Sequence, residues 1–261
     1  MAGSSLPMCL LFCLIPIVVF SENGWIPEEL DDSINSFYGE TRELKAIFET
    51  TVEVSAEATY PHLYGESRFI DYVNKNLEAC AKTTFERFVA HEKASLEVHD
   101  NDFGGCFLEY QLFPVLCLPN LISIYGFEFQ SRACPHGWTH YEGKNFWHKE
   151  NKIVELDMRD LFLQESNWCD FLLRYCHEHF SSTRHGYYGT DDWFTPELEK
   201  EDLEIFVLTK RGLMIVFRSY RVGGWADGPD TITIPYEDLK EFIDPSGPLK
   251  EISSIASMLQ L

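Results

Sequence analysis

The sequence predicts an α+β protein: antiparallel strand meanders packed with two or three amphipathic helices. Three observations predict it. Apolar and polar residues alternate with period two in several short runs. Two longer stretches repeat apolar residues at three- and four-residue steps, the mark of a helix with one buried face. The helical stretches interrupt the strands irregularly, which argues against a doubly wound parallel sheet.

Taken in order, residues 22–45 are acidic and weakly patterned, an expected extended lead-in. Phe48, Val52, Val54, Ala56, Ala58 and Tyr60 then alternate with polar residues, a strand with one wet face that Pro61 ends. From Ser67 the period changes: Phe69, Val73, Leu77, Cys80, Phe85, Phe88 and Val89 mark a long amphipathic helix. Residues 106–113 and 121–130 read as strands, punctuated by Pro114 and Pro119. A hairpin spans about 145–156, turning over Lys149–Lys152. Asn167 caps a helix whose buried face is Trp168, Phe171, Leu172, Tyr175 and His179. Residues 181–200 form a long polar loop carrying Tyr187, Tyr188, Trp193 and Phe194. Leu203–Leu208 and Leu213–Tyr220 flank Lys210–Arg211–Gly212, a hairpin whose glycine is available for positive φ. Thr231–Ile234 is a strand, and Pro235 opens a short helix with Leu239, Phe242 and Ile243 inward. The chain thus divides into a leader (1–21), the lead-in (22–45), an N-terminal α+β part (46–180), a C-terminal hairpin–strand–helix part (181–247) and a tail (248–261).

Leu10 to Phe20 is an uncharged apolar run, with Val19 and Ser21 placed for cleavage before Glu22. It falls short of the roughly 20 apolar residues of a comfortable membrane span. A signal peptide is the expectation, and a retained anchor the alternative. Cleavage would leave Cys80, Cys106, Cys117, Cys134, Cys169 and Cys176, an even set that suggests disulfides in an exported chain. Cys169 and Cys176 would sit about 10 Å apart along one helix, too far to join each other.

The 42 acidic residues against 21 basic leave a formal charge of −21. Such a surface repels phosphate backbones and anionic headgroups, which argues against nucleic-acid and peripheral membrane binding; it attracts cationic partners or serves solubility alone. With 45% hydrophobic residues the chain can bury a core.

Leu203–Gly247 resembles the C-terminal domain of RsiV-type anti-sigma factors, which sense lysozyme, and of PdaC-type peptidoglycan deacetylases. Tyr220, Val222, Trp225, Ala226, Gly228, Ile234, Pro235, Tyr236 and Leu239 carry the pattern in order. Upstream, "YPHLYG" at 60–65 and a helix with Asn74 resemble the companion N-terminal domain. His136, Gly137, Asn145, Phe146, Leu156 and Asp160–Leu161–Phe162 continue the likeness, with Cys134–Pro135 replacing the small residues expected before the histidine. Gly223–Gly224 before Trp225 is a second departure. The resemblance implies an exported stand-alone module with neither sigma-factor control nor deacetylation in the same chain.

Cys134, His136, His140 and His148 hold metal-type atoms without paired zinc-finger spacing, so no metal or other cofactor is assigned. His177, His179 and His185 cluster near a helix end, with His179 read as a core residue. A catalytic thiol–imidazole pair, for instance Cys176 with His140, has no recognised local motif here. Gly223–Gly228 has no following helix to make a phosphate loop. Two function classes remain: a non-catalytic envelope binding or sensing module for a lysozyme-like cationic enzyme or a peptidoglycan fragment, and an unrecognised envelope hydrolase. Candidate partner contacts are Tyr187, Tyr188, Trp193, Trp225 and Asp227, on loops 183–195 and 222–230. Trp225 is an exposed anchor or a core residue; no catalytic residue is assigned.

Overall fold

A computed structural model describes residues 39–49, 53–95, 105–132, 137–183, 197–222 and 229–252. Six strands form the main sheet, in the order β1 (Gly39–Glu49), β2 (Glu53–Leu63), β3 (Cys106–Cys117), β4 (Leu121–Arg132), β5 (Trp138–Lys149) and β6 (Lys152–Glu155). All neighbours pair antiparallel except β2 and β3. The exception has a cause in the chain between them. Helix α1 (Arg68–Ser95) runs back for 28 residues, about 42 Å, so β3 starts at the same end of the sheet as β2. The fold is α+β, as the patterning predicts.

Helix α1 forms because Phe69, Val73, Leu77, Ala81, Phe85 and Phe88 recur at four- and three-residue steps, and all six are buried. Ser67 caps it, its Oγ accepting the Ile70 N–H at 3.1 Å. This stripe packs on Leu44, Val54, Ala56, Ala58, Leu108, Tyr110, Ile122, Ile124 and Phe146, which share one face of the sheet. Asn74 fixes the helix in register. Its Oδ1 accepts the Leu63 N–H and its amide donates to the Leu63 carbonyl, both at 2.8 Å, closing off the end of β2.

The opposite face, over β3 to β5, is covered by a second sheet of β7 (Phe206–Leu208), β8 (Gly212–Phe217) and β9 (Asp230–Pro235). Val115, Tyr125, Phe127 and Tyr141 meet Ile205, Val207, Met214 and Val216 there. The outer edge of β7 is closed by side chains rather than by a strand. The Leu208 N–H donates to Ser123 Oγ at 2.8 Å, Ser123 donates to Asn145 Oδ1 at 2.6 Å, and Asn145 Nδ2 donates to the Phe206 carbonyl at 2.9 Å. Gly143 lets the two sheets approach, since a Cβ there would lie 1.9 Å from the Phe206 carbonyl oxygen. Helix α2 (Trp168–Thr183) and the short α3 (Tyr236–Leu239) close a third cluster around Leu161, Phe206, Leu213, Phe217 and Leu239.

The structure corrects several expectations. Residues 39–45 of the lead-in belong to β1, where Leu44 is buried and its neighbours are half-exposed. Pro114 does not end β3; the strand passes through it by a register shift between Pro114 and Leu116, which accommodates the missing N–H. His179 is exposed, because the inner face of α2 is Leu172, Cys176 and Phe180, one residue round from the expected stripe. Gly212 is needed for space rather than for positive φ: a Cβ would meet the Ile234 carbonyl oxygen at 2.2 Å. The turn before it is held by Thr209, whose Oγ1 accepts the N–H groups of Arg211 and Gly212 at 3.1 and 3.0 Å. Among the described residues no two cysteines form a disulfide: Cys80 lies on α1, Cys106 and Cys117 at opposite ends of β3, and Cys169 and Cys176 on α2. Cys134 lies outside the described residues.

Candidate functional site

The face of the main sheet under α1 changes character along β4 and β5. Near β6 it is apolar, ending in Phe146. Toward the other end of β5 the same face presents Lys144, Glu142, His140 and Trp138 in alternation, beside Glu128 and Gln130 of β4. Helix α1 packs mainly over β2 and β3 and leaves this part of β4 and β5 uncovered beside its polar flank, from which Arg87 reaches Glu128. The result is a cleft of about 520 Å³. Its helix wall carries Asn76, Cys80, Thr83 and Arg87, and its floor Tyr110, Glu128, His140 and Glu142, with Trp138 at the rim.

Both carboxylates of the floor are tied into the fold. Glu128 is only 4% exposed; Arg87 reaches its two oxygens at 3.4 and 3.3 Å, and the Gln130 amide donates to it as well. Glu142 accepts from the Tyr110 hydroxyl and pairs with Lys144 at 3.1 Å. Burial, with the Glu142 carboxylate beside it, pushes the Tyr110 phenol far above its ordinary pKa, so Tyr110 stays a neutral donor. Burial works against the Lys144 ammonium, but Glu142 outweighs it and holds that pKa above the ordinary lysine value. The Cys80 thiol is pushed up by burial, away from thiolate reactivity. Trp138 is 56% exposed and lies nearly parallel to His140, with ring centroids 5.7 Å apart.

The Cys176–His140 pair is not assembled. Cys176 is buried in the α2 cluster, its thiol pushed up to about 12 by burial, whereas His140 faces the α1 cleft. His148 stacks on Phe69 at 5.6 Å, and eight residues of β5, about 26 Å at strand rise, separate it from His140. Cys134 and His136 lie outside the described residues, as do Tyr187, Tyr188, Trp193, Trp225 and Asp227. The stems of the two segments that carry those five residues are described. Arg221 pairs with Asp202 and donates to the Glu197 carbonyl, so the chain re-enters at 197 and leaves after Val222 at one corner. Tyr220 at this corner is exposed and has φ of 69°.

Sequence patterning does not single out Trp138, Glu128 and Glu142. A signal for them exists: alternate positions of 138–144 are aromatic or charged in a segment flanked by core strands. Reading the hairpin as starting near 145 hides it.

Residues 159–237 match the family model described as protein of unknown function (DUF3298). The match runs from the turn before α2 through β7–β9 and into α3. Solved DUF3298 structures share the fold. A crystal structure of a DUF3298 family member from Bacteroides fragilis has a TM-score of 0.59 at 14% identity, covering 84% of this chain and 98% of that one. A DUF3298 family protein from Pseudomonas aeruginosa has a TM-score of 0.59 at 13% identity, covering 80% and 95%. At such identities the likeness is one of fold. No curated protein matches the chain. Within the DUF3298 match, Tyr236 ties α3 to the β7–β8 turn, its hydroxyl donating to the Thr209 carbonyl at 2.9 Å. No helix among the described residues is long and apolar enough to cross a membrane.

Proposed function

We propose that this chain is an exported binding or sensing module of the cell envelope, which holds its partner without transforming it. The observation that carries this reading is the state of the cleft floor. Glu128 and Glu142 already have cationic and neutral donors, which makes them fixed acceptors. Fixed, preorganised polar groups around an exposed aromatic suit recognition. The resemblance to RsiV-type lysozyme sensors and PdaC-type deacetylases supports an envelope setting, and the charge of −21 suits a cationic enzyme as partner. Residues 1–21 would direct export and be removed before Glu22; intact-mass measurement on the exported protein tests this, and retention of Met1 refutes it.

A protein partner would dock on Tyr187, Tyr188, Trp193, Trp225 and Asp227. The Arg221 bridge supports a shared surface, because it holds one end of each segment, the re-entry at 197 and the exit after Val222, at one corner. Trp225→Ala should then weaken binding by roughly 2 kcal/mol and leave melting unchanged. A large stability loss with unchanged affinity would make Trp225 a core residue instead. The decisive experiment sets capture of lysozyme and of peptidoglycan fragments beside a cell-wall hydrolysis assay. Capture without turnover is expected. Turnover that disappears on substituting one cysteine or histidine would replace the module with a hydrolase.

A further inference from the structure

We infer that the cleft between α1 and strands β3–β5 is a saccharide site, taking a short neutral oligosaccharide with one ring stacked on Trp138. The inference rests on the binding reading above and names the ligand class of one surface.

Charge balance favours a neutral ligand. On a chain of formal charge −21, this cleft pairs its carboxylates internally, Glu128 with Arg87 and Glu142 with Lys144. An anionic ligand meets the repulsive field of the whole protein. A cationic ligand finds both carboxylates already paired, and would have to displace Lys144, which is 15% exposed. A neutral polyol meets neither obstacle.

Hydrogen-bonding capacity favours a polyol in particular. An ionised carboxylate can accept about four hydrogen bonds, and an arginine donates about five. Arg87, largely exposed, and the part-exposed Glu142 therefore retain capacity after pairing with Glu128, Tyr110 and Lys144, while the buried Glu128 holds Arg87 in place. The Asn76 amide adds donors and an acceptor on the opposite wall. Planar groups with donors and acceptors on two walls match the paired hydroxyls of a sugar ring.

An aromatic platform completes the site. Trp138 is 56% exposed, and His140 stacks nearly parallel to it at 5.7 Å. A flat indole held by a second ring at the rim of a polar cleft can take the apolar C–H face of a pyranose, while its hydroxyls turn to the floor. The volume of about 520 Å³ falls among small-molecule sites, roughly 300–1,000 Å³, and suits two or three sugar rings.

Calorimetric titration of the full chain tests this with trisaccharides of different charge. The neutral probes are cellotriose, maltotriose and N-acetylchitotriose; the cationic probe is the glucosamine trimer and the anionic probe trigalacturonate. In about 0.15 M salt, where the screening length is about 8 Å, at least one neutral probe should bind saturably, and more salt should not weaken it. Trp138→Ala and Asn76→Ala should each weaken that binding about tenfold or more, with melting unchanged for the exposed Trp138. Three results overturn the inference: no saturable neutral binding up to about 10 mM; tighter binding of the glucosamine trimer that fades with salt; or wild-type affinity in Trp138→Ala. Capture of lysozyme or peptidoglycan that persists in Trp138→Ala leaves the binding module standing and removes only this cleft from it. A saturating neutral sugar without either capture leaves the cleft standing and removes the proposed partners.

Discussion

Asn145 has no exposed surface and joins the two sheets, so its removal has an effect that can be worked out. In Asn145→Ala the Phe206 carbonyl loses its donor and Ser123 loses its acceptor. Each buried polar group left without a partner costs about 1–3 kcal/mol. Together the two should cost about 2–6 kcal/mol, a large part of the roughly 5–15 kcal/mol that stabilises a typical protein. At about 2–4 °C per kcal/mol for a chain of roughly this size, that corresponds to a melting shift of about 4–24 °C downward. Because Ser123 relays the Leu208 N–H into Asn145, the two side chains act as one unit. A double-mutant cycle with Ser123→Ala, read by chemical denaturation, should give a coupling of about 1–3 kcal/mol. A loss below about 1 kcal/mol in Asn145→Ala, or a coupling below about 0.5 kcal/mol, would show that apolar burial holds the sheets together and that the polar relay is incidental.

Gly143→Ala should destabilise by about 3 kcal/mol or more, since its Cβ meets strand backbone that cannot rotate away; a melting curve within about 1–2 °C of wild type would contradict the packing. Tyr236→Phe should cost about 1–2 kcal/mol in chemical denaturation through loss of the bond to Thr209. Burial works to raise the Asp202 pKa, but the Arg221 guanidinium outweighs it and holds the carboxyl below its ordinary value. A folded-state pKa below the unfolded one stabilises above the ordinary Asp range, about 3.9, and that contribution is lost as pH falls through the folded value. The denaturation midpoints of wild type and Asp202→Asn should therefore differ most near neutrality and converge in acid; a constant gap would count against the pairing. Cys176, its thiol pushed up to about 12 by burial, should resist alkylation at about pH 8 until the chain unfolds, and rapid labelling of the native protein would refute its burial.

Periodicity locates α1 and the β3–β4 pair, because burial on one face leaves a record in the order of residues, while turn and proline signals locate the β7–β8 hairpin, buried on both faces, and the short helix after Pro235. The sequence also brings out Asn74, Asn145 and Tyr236 through a resemblance, without saying what they do. Tertiary structure supplies the reason: each is a side chain that satisfies backbone groups of another element, at Leu63, Phe206 and Thr209. Which face a polar strand residue meets is likewise decided only by what packs over it. Glu128 reads as an ordinary strand residue, and Trp138 and Glu142 fall in no expected strand, until α1 is laid across one half of the sheet and leaves the other half open. The parallel β2–β3 pairing has the same origin. Strand partners are chosen by where a long crossover helix returns the chain, and hydrophobic patterning within a strand carries no record of its neighbour.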